Sequence, residues 1–190
     1  MLDTLIFRCL ALGLALLFVA AGLHKLGHQA RFKGILADYR LLLGMLIPLA
    51  GILIPVLEIA LGAGWLLLAL RAGALAVVSW GSALLLFIYA LAIGVNLARG
   101  RRHIDCGCGL AAGPDPDGMG HPLSPWQVLR NLVLAALALL PLAGIRPREP
   151  VLLDQFVLAL ALAALLLLYA ALNQLLGNQG AINSWRKPHA

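Results

Sequence analysis

The chain has 190 residues, 62% of them hydrophobic and 12% charged, with a formal net charge of +6 at pH 7. A soluble domain cannot bury so much Leu and Ala, and the Arg and Lys lie beside the apolar runs, where they suit phospholipid headgroups. No basic surface interleaved with aromatics points to nucleic acid, and three cysteines are too few for a disulfide framework.

Hydropathy and charge divide the sequence into five spans, each able to cross a bilayer core of roughly 30 Å as a helix. The first, 5–23, lacks a basic leader before Leu5 and is followed by further spans, which predicts an uncleaved helix. Phe32, Ile35, Leu36, Tyr39, Leu42 and Leu43 then recur at helical spacing among Arg31, Lys33, Asp38 and Arg40, the pattern of an amphipathic helix at the interface. The second span, 47–70, is expected to start at Pro48 and kink at Pro55. The third covers 72–97. A loop over 99–125 follows, where Gly113-Pro114-Asp115-Pro116-Asp117-Gly118 excludes a span. The fourth, 126–145, carries Arg130 and Asn131 near its start, and the fifth covers 151–176. The expected fold is all-α: one integral-membrane domain over 1–190, a polytopic bundle of about five transmembrane helices. Four of them form a redox core around the polar groups and the fifth packs outside.

Alternation of the spans puts Lys25, Asn96, Arg99, Cys106, Cys108, Arg130 and Asn131 toward one membrane face, whichever way the protein is inserted. Cys9 lies near the other end of the first span, 14 residues before Leu23 and so about 21 Å away along a helix. A disulfide needs Cα atoms within about 7 Å, so Cys9 is not expected to pair with the loop cysteines.

Cys106-Gly107-Cys108 is the sharpest chemical signal. Two thiols one residue apart close only a small, strained disulfide ring, which suits exchange better than stapling. Arg99, Arg101 and Arg102 favour the nucleophilic thiolate, while Asp105 opposes it. The plain alternative is a pair of structural cysteines in a surface loop. A third reading is a soft metal site of His103, Cys106, Cys108 and His121, although Cys-x-Cys is tighter than the usual zinc spacing; no metal is expected. Orientation sets two arguments against each other. The positive-inside rule would place the basic loop face in the cytoplasm, whereas a strained disulfide persists only in an oxidising compartment. The chemistry favours a bacterial inner membrane with the loop in the periplasm.

Glu58 sits mid-span, where an unpaired charge is costly, so it reads as a proton-exchanging group beside a cofactor or as an interhelical hydrogen bond. Arg130 is either a contact to a headgroup or quinone oxygen or a side chain snorkelling to the interface. His24 and Lys25 read as interface anchors, and Ala60-x-x-x-Gly64 as a weak helix-packing motif.

Several of these residues form a recognisable set: Leu23-His24-Lys25-Leu26, Pro55-x-x-Glu58, Asn96-Leu97-x-Arg99-Gly100-Arg101 leading into Asp105-Cys106-Gly107-Cys108-Gly109, and Trp126 before Arg130-Asn131. Together they resemble the methylamine-utilisation MauE proteins and their DoxX-like relatives. The resemblance implies a redox-associated inner-membrane protein that supports maturation of disulfide-bearing periplasmic enzymes, working with a thioredoxin-like periplasmic partner and a client enzyme subunit. By analogy with DsbB-like and vitamin-K-epoxide-reductase-like thiol:quinone oxidoreductases, Cys106 and Cys108 would be the catalytic pair, with Glu58, Asn96, Arg99, Arg130 and Asn131 near a quinone. A metal-handling or non-catalytic accessory subunit of a larger membrane complex is the alternative of a different class.

Overall fold

The computed structural model describes residues 2–71, 75–101, 104, 123–146 and 151–185, with no side-chain description at 152 and 172–185. Cys106 and Cys108, with Arg102, His103, Asp105 and His121, lie outside the described residues.

Helix α1 spans Thr4–Gly27 and starts where the Asp3 carboxylate accepts a hydrogen bond from the Leu5 N–H at 2.8 Å. It outruns the expected span by four residues, so His24 and Lys25 are helical. A short helix α2, Gln29–Tyr39, follows and ends at Arg40 in the left-handed region, with φ 48°. Phe32 and Tyr39 are its buried positions, and Leu41, Leu42, Leu43, Met45 and Leu46 beyond it are exposed, as befits chain lying along the interface. Helix α3 runs over Ile47–Arg71 without a break at Pro55, where a kink was expected. Pro55 has no N–H, so it cannot make the usual bond to the Gly51 carbonyl one turn back. Helix α4 covers Ala76–Ala98. Helix α5, Pro125–Leu139, begins with a full capping box: Ser124 Oγ accepts from the Trp126 N–H, Gln127 Oε1 accepts from the Ser124 N–H at 3.0 Å, and Pro125 occupies the first turn. It ends short of the expected 145 in a 3-10 turn, Leu140–Ala143, because Pro141 has no N–H to continue the ladder and Gly144 turns the chain at φ 93°. Helix α6, Leu152–Trp185, continues past the expected end at 176.

Among the described residues, five helices are long and apolar enough to cross a membrane. Their contacts make two tight pairs, α1 with α3 and α4 with α5. The main core joins Phe7, Ala11, Leu14 and Phe18 of α1 to Trp65 and Leu68 of α3, Ala83 and Leu86 of α4, and Ala135 and Ala138 of α5. Helix α6 lies outside against α1, and no side chain over 153–171 is buried, so Leu160 and Leu167 face lipid.

The α1–α3 pair is close because two glycines permit it. A Cβ on Gly22 would stand 2.8 Å from the Pro55 carbonyl oxygen and 2.7 Å from Ile59, and one on Gly62 would stand 2.6 Å from Val19. Small residues do set this packing, as membrane helices require, but at Gly22 and Gly62; Ala60 is exposed and Gly64 faces Val78.

The N-terminus fixes the topology. Strand β1, Leu2–Asp3, pairs in parallel with β2, Ile145–Arg146, and Thr4 Oγ1 donates to the Arg146 carbonyl at 2.6 Å. Four spans lie between these strands, so the tie requires an even number of crossings and leaves the loop after α4 at the opposite end of the bundle. At that end Ile104 and Leu123, which flank the loop, are buried with Tyr39 of α2 and Ile93 of α4.

Candidate functional site

Lys25, Glu58 and Tyr89 meet inside the bundle, each from a different helix. Lys25 Nζ is ion-paired and hydrogen-bonded to Glu58 Oε1. Tyr89 Oη donates to the same oxygen at 2.8 Å, and Lys25 Nζ reaches Tyr89 Oη at 3.3 Å. The ammonium also lies over two rings, 4.8 Å from the Tyr89 centroid and 5.4 Å from that of Phe32.

Helix geometry explains the meeting. Side chains lean toward their own helix N-terminus, so in the antiparallel α1–α3 pair Lys25 leans away from the loop end and Glu58 toward it. Gly22, one turn before Lys25, lets the two backbones close until those side chains converge. Lys25 is therefore no interface anchor: it is 7% exposed and Glu58 1%. Two opposite charges with shared donors can remain in a low-dielectric interior where either alone would be expelled.

The loop-side half of the bundle holds further buried polar atoms. Asn96 is fully buried and its amide donates to the Ala92 carbonyl at 3.0 Å, while its Oδ1 has no partner among the described residues. Among the described residues Asn131, 3% exposed, has no acceptor for Nδ2, and Glu58 Oε2 has no donor. Trp65 Nε1, by contrast, donates to Ser82 Oγ at 2.8 Å in the opposite half.

Of the residues expected to hold a cofactor, Glu58, Asn96 and Asn131 face the interior. Arg130 is partly buried at the loop-side start of α5, and Arg99 is exposed at the end of α4, outside the buried group. The thiols of Cys106 and Cys108 lie outside the described residues. Sequence reasoning missed Tyr89 and misplaced Lys25. The available signal was Glu58 itself, because a mid-span carboxylate demands a counter-charge and Lys25 is the nearest cation on the preceding span.

A family model described as methylamine utilisation protein MauE matches residues 3–144. The chain belongs to the MauE family. This family member is 34% identical to a methylamine utilization protein MauE of Paracoccus denitrificans, over 98% of this chain and 95% of the relative. It is 34% identical to one of Methylophilus methylotrophus over 92% and 88% of the two chains, and 36% identical to one of Methylorubrum extorquens over 83% and 81%. No solved structure matches it. The Lys25–Glu58–Tyr89 cluster and the buried asparagines all fall inside the matched region of this MauE family member.

Proposed function

We propose that this chain is a multi-pass inner-membrane thiol–disulfide exchange protein, with Cys106 and Cys108 as its redox couple on the periplasmic side. It supports maturation of a disulfide-bearing client enzyme subunit of methylamine utilisation, together with a thioredoxin-like partner. The observation that carries this is a Cys-Gly-Cys pair in a polar segment whose flanks, Ile104 and Leu123, are fixed against the helix ends of an otherwise apolar bundle. Ile104 is two residues from Cys106 in the sequence.

The exchange balances without a further reactant. A partner thiolate attacks one sulfur of the Cys106–Cys108 disulfide, forming a mixed disulfide and releasing the other cysteine as thiolate. The partner's second thiol then resolves the mixed disulfide. Two electrons and two protons pass from the partner dithiol to Cys106 and Cys108; the reverse sequence reduces the partner instead.

A quinone meets a mixed set of groups here. Asn131 Nδ2 is a donor that suits a quinone oxygen, but Glu58 Oε2 and Asn96 Oδ1 are acceptors, which an oxidised quinone cannot satisfy. The proposed exchange runs through the thiols alone.

The test is mixed-disulfide trapping. A Cys108→Ser variant retains Cys106, and non-reducing gels of cell extracts should show it joined to a thioredoxin-fold protein by a bond that reductant cleaves. No adduct from either single variant, with full client maturation in both, rejects the exchange role.

A further inference from the structure

We propose that the flank of α2 carrying Lys33 and Arg40, together with the start of α3, holds one anionic phospholipid, its phosphate on the two cations and its acyl chains along Ile52 and Val56. The site does not depend on the thiol reading.

Lys33 is a held cation. Its stem lies across Gly51 of α3, where an added Cβ would stand 2.8 Å from Lys33 Cγ and 2.9 Å from Cε. Gly51 is buried and Lys33 partly so, which makes the glycine the floor on which the stem rests. A lysine packed in this way has already lost rotamer freedom that a surface lysine keeps, so it binds an anion at a smaller entropic cost.

Among the described residues, the Lys33 ammonium has no hydrogen-bond or ion-pair partner. Arg40, exposed and likewise without one, is seven residues on, about 10 Å farther along the same flank. A phosphate between them lies within reach of both long side chains. Asp38 falls on the other flank of α2, seven residues from Arg31, so no carboxylate of this helix competes for the pair.

The backbone at Arg40 adds a separate observation. It closes α2 at φ 48°, and among the described residues it is the only non-glycine with positive φ. Glycine or asparagine makes this turn with less strain, so the turn itself does not call for arginine. A phosphate beside Lys33 does, because the guanidinium can meet it with two donors.

The surroundings select a lipid over a free phosphate ion. Gly51 lies about 6 Å into α3 from Ile47, where headgroups give way to acyl chains. Next to it on α3, Ile52 and Val56 form one strip and are each 49% exposed, and Met45 in the turn before α3 is 81% exposed. An anion with long apolar chains meets both the cations and this strip. Inorganic phosphate meets the cations alone. Helix α2 joins the end of α1 to the start of α3, so the lipid belongs to the leaflet on the loop side of the bundle.

The test uses the full-length chain, purified in neutral detergent and stripped of lipid, with bound lipid counted by native mass spectrometry. One phosphatidylglycerol should bind at least about fivefold more tightly than phosphatidylcholine, and millimolar inorganic phosphate should not displace it. Lys33→Gln, and Arg40→Gly, which the left-handed backbone accepts, should each weaken phosphatidylglycerol about fivefold, the share of one cation near an anionic headgroup. Arg71→Gln, at the other end of α3, should change nothing. Gly51→Ala keeps every charge but puts a Cβ where the Lys33 stem lies, and should weaken binding as Lys33→Gln does. Equal affinity for the two lipids, displacement by inorganic phosphate, or a Gly51→Ala variant that binds like the parent overturns the site. If Gly51→Ala does not accumulate, Lys33→Gln and Arg71→Gln decide between them, and equal affinities overturn it.

Discussion

Replacing Lys25 by Met keeps the length and apolar stem of the side chain but leaves Glu58 with Tyr89 as its remaining donor among the described residues. The side chains of Lys25 and Glu58 are 8% and 2% exposed, so neither charge has access to bulk water that would soften the loss. Removing one member of a pair this buried costs about 3–5 kcal/mol. A loss of 3 kcal/mol is about a hundredfold change in the folding equilibrium. Glu58→Leu should cost less, because Lys25 is two residues from the end of α1 and its stem can carry the ammonium to the interface. The double variant removes both charges and takes from Tyr89 the Glu58 oxygen to which it donates, a penalty of about 1–3 kcal/mol. It should therefore be more stable than Lys25→Met alone. The assay is reversible denaturation in detergent of the four proteins as a double-mutant cycle, read by the fluorescence of Trp65 and the other tryptophans. Additive losses in the double variant, or a Lys25→Met loss below about 0.5 kcal/mol, contradict a buried pair.

Other outcomes follow from the same packing and chemistry. Cys106→Ser, Cys108→Ser and the double variant should abolish client maturation equally, while Cys9→Ser stays near wild type in a client-activity assay. Gly22→Leu should prevent α1 from closing on α3 and reduce accumulation in the membrane several-fold, seen by immunoblot, since its first side-chain atom already collides with the Pro55 carbonyl. Ile104→Asp buries a charge beside Tyr39 and Leu123, and should slow exchange at Cys106 and Cys108 while leaving helix content unchanged by circular dichroism. Elemental analysis of the purified protein should show no bound zinc or copper; about one metal per chain, lost in His121→Ala, contradicts this.

The helices were legible because long apolar runs in a chain with few charges admit one solution, spanning helices whose backbone groups are satisfied internally. Their ends were less so. The end of α5 was set by Pro141 and Gly144 acting together, and α6 continues through a polar stretch that hydropathy does not distinguish from a tail. Glu58 was legible from its depth alone. Its partners were not, because pairing Lys25 with Glu58 depends on the Gly22 contact between α1 and α3, and Tyr89 comes from a third helix whose rotation no periodicity fixes. The two asparagines could be placed at the loop end by counting spans, whereas their burial depends on α4 packing along α5.

The redox state and sidedness of Cys106 and Cys108 bear most directly on the central claim. Intact cells are treated with a membrane-impermeant thiol reagent, with and without prior reduction, in a Cys9→Ser background. The account predicts that the pair labels only after reduction and does so without permeabilising the cell. Labelling confined to permeabilised cells, or equal labelling with and without reduction, contradicts an exposed periplasmic disulfide couple.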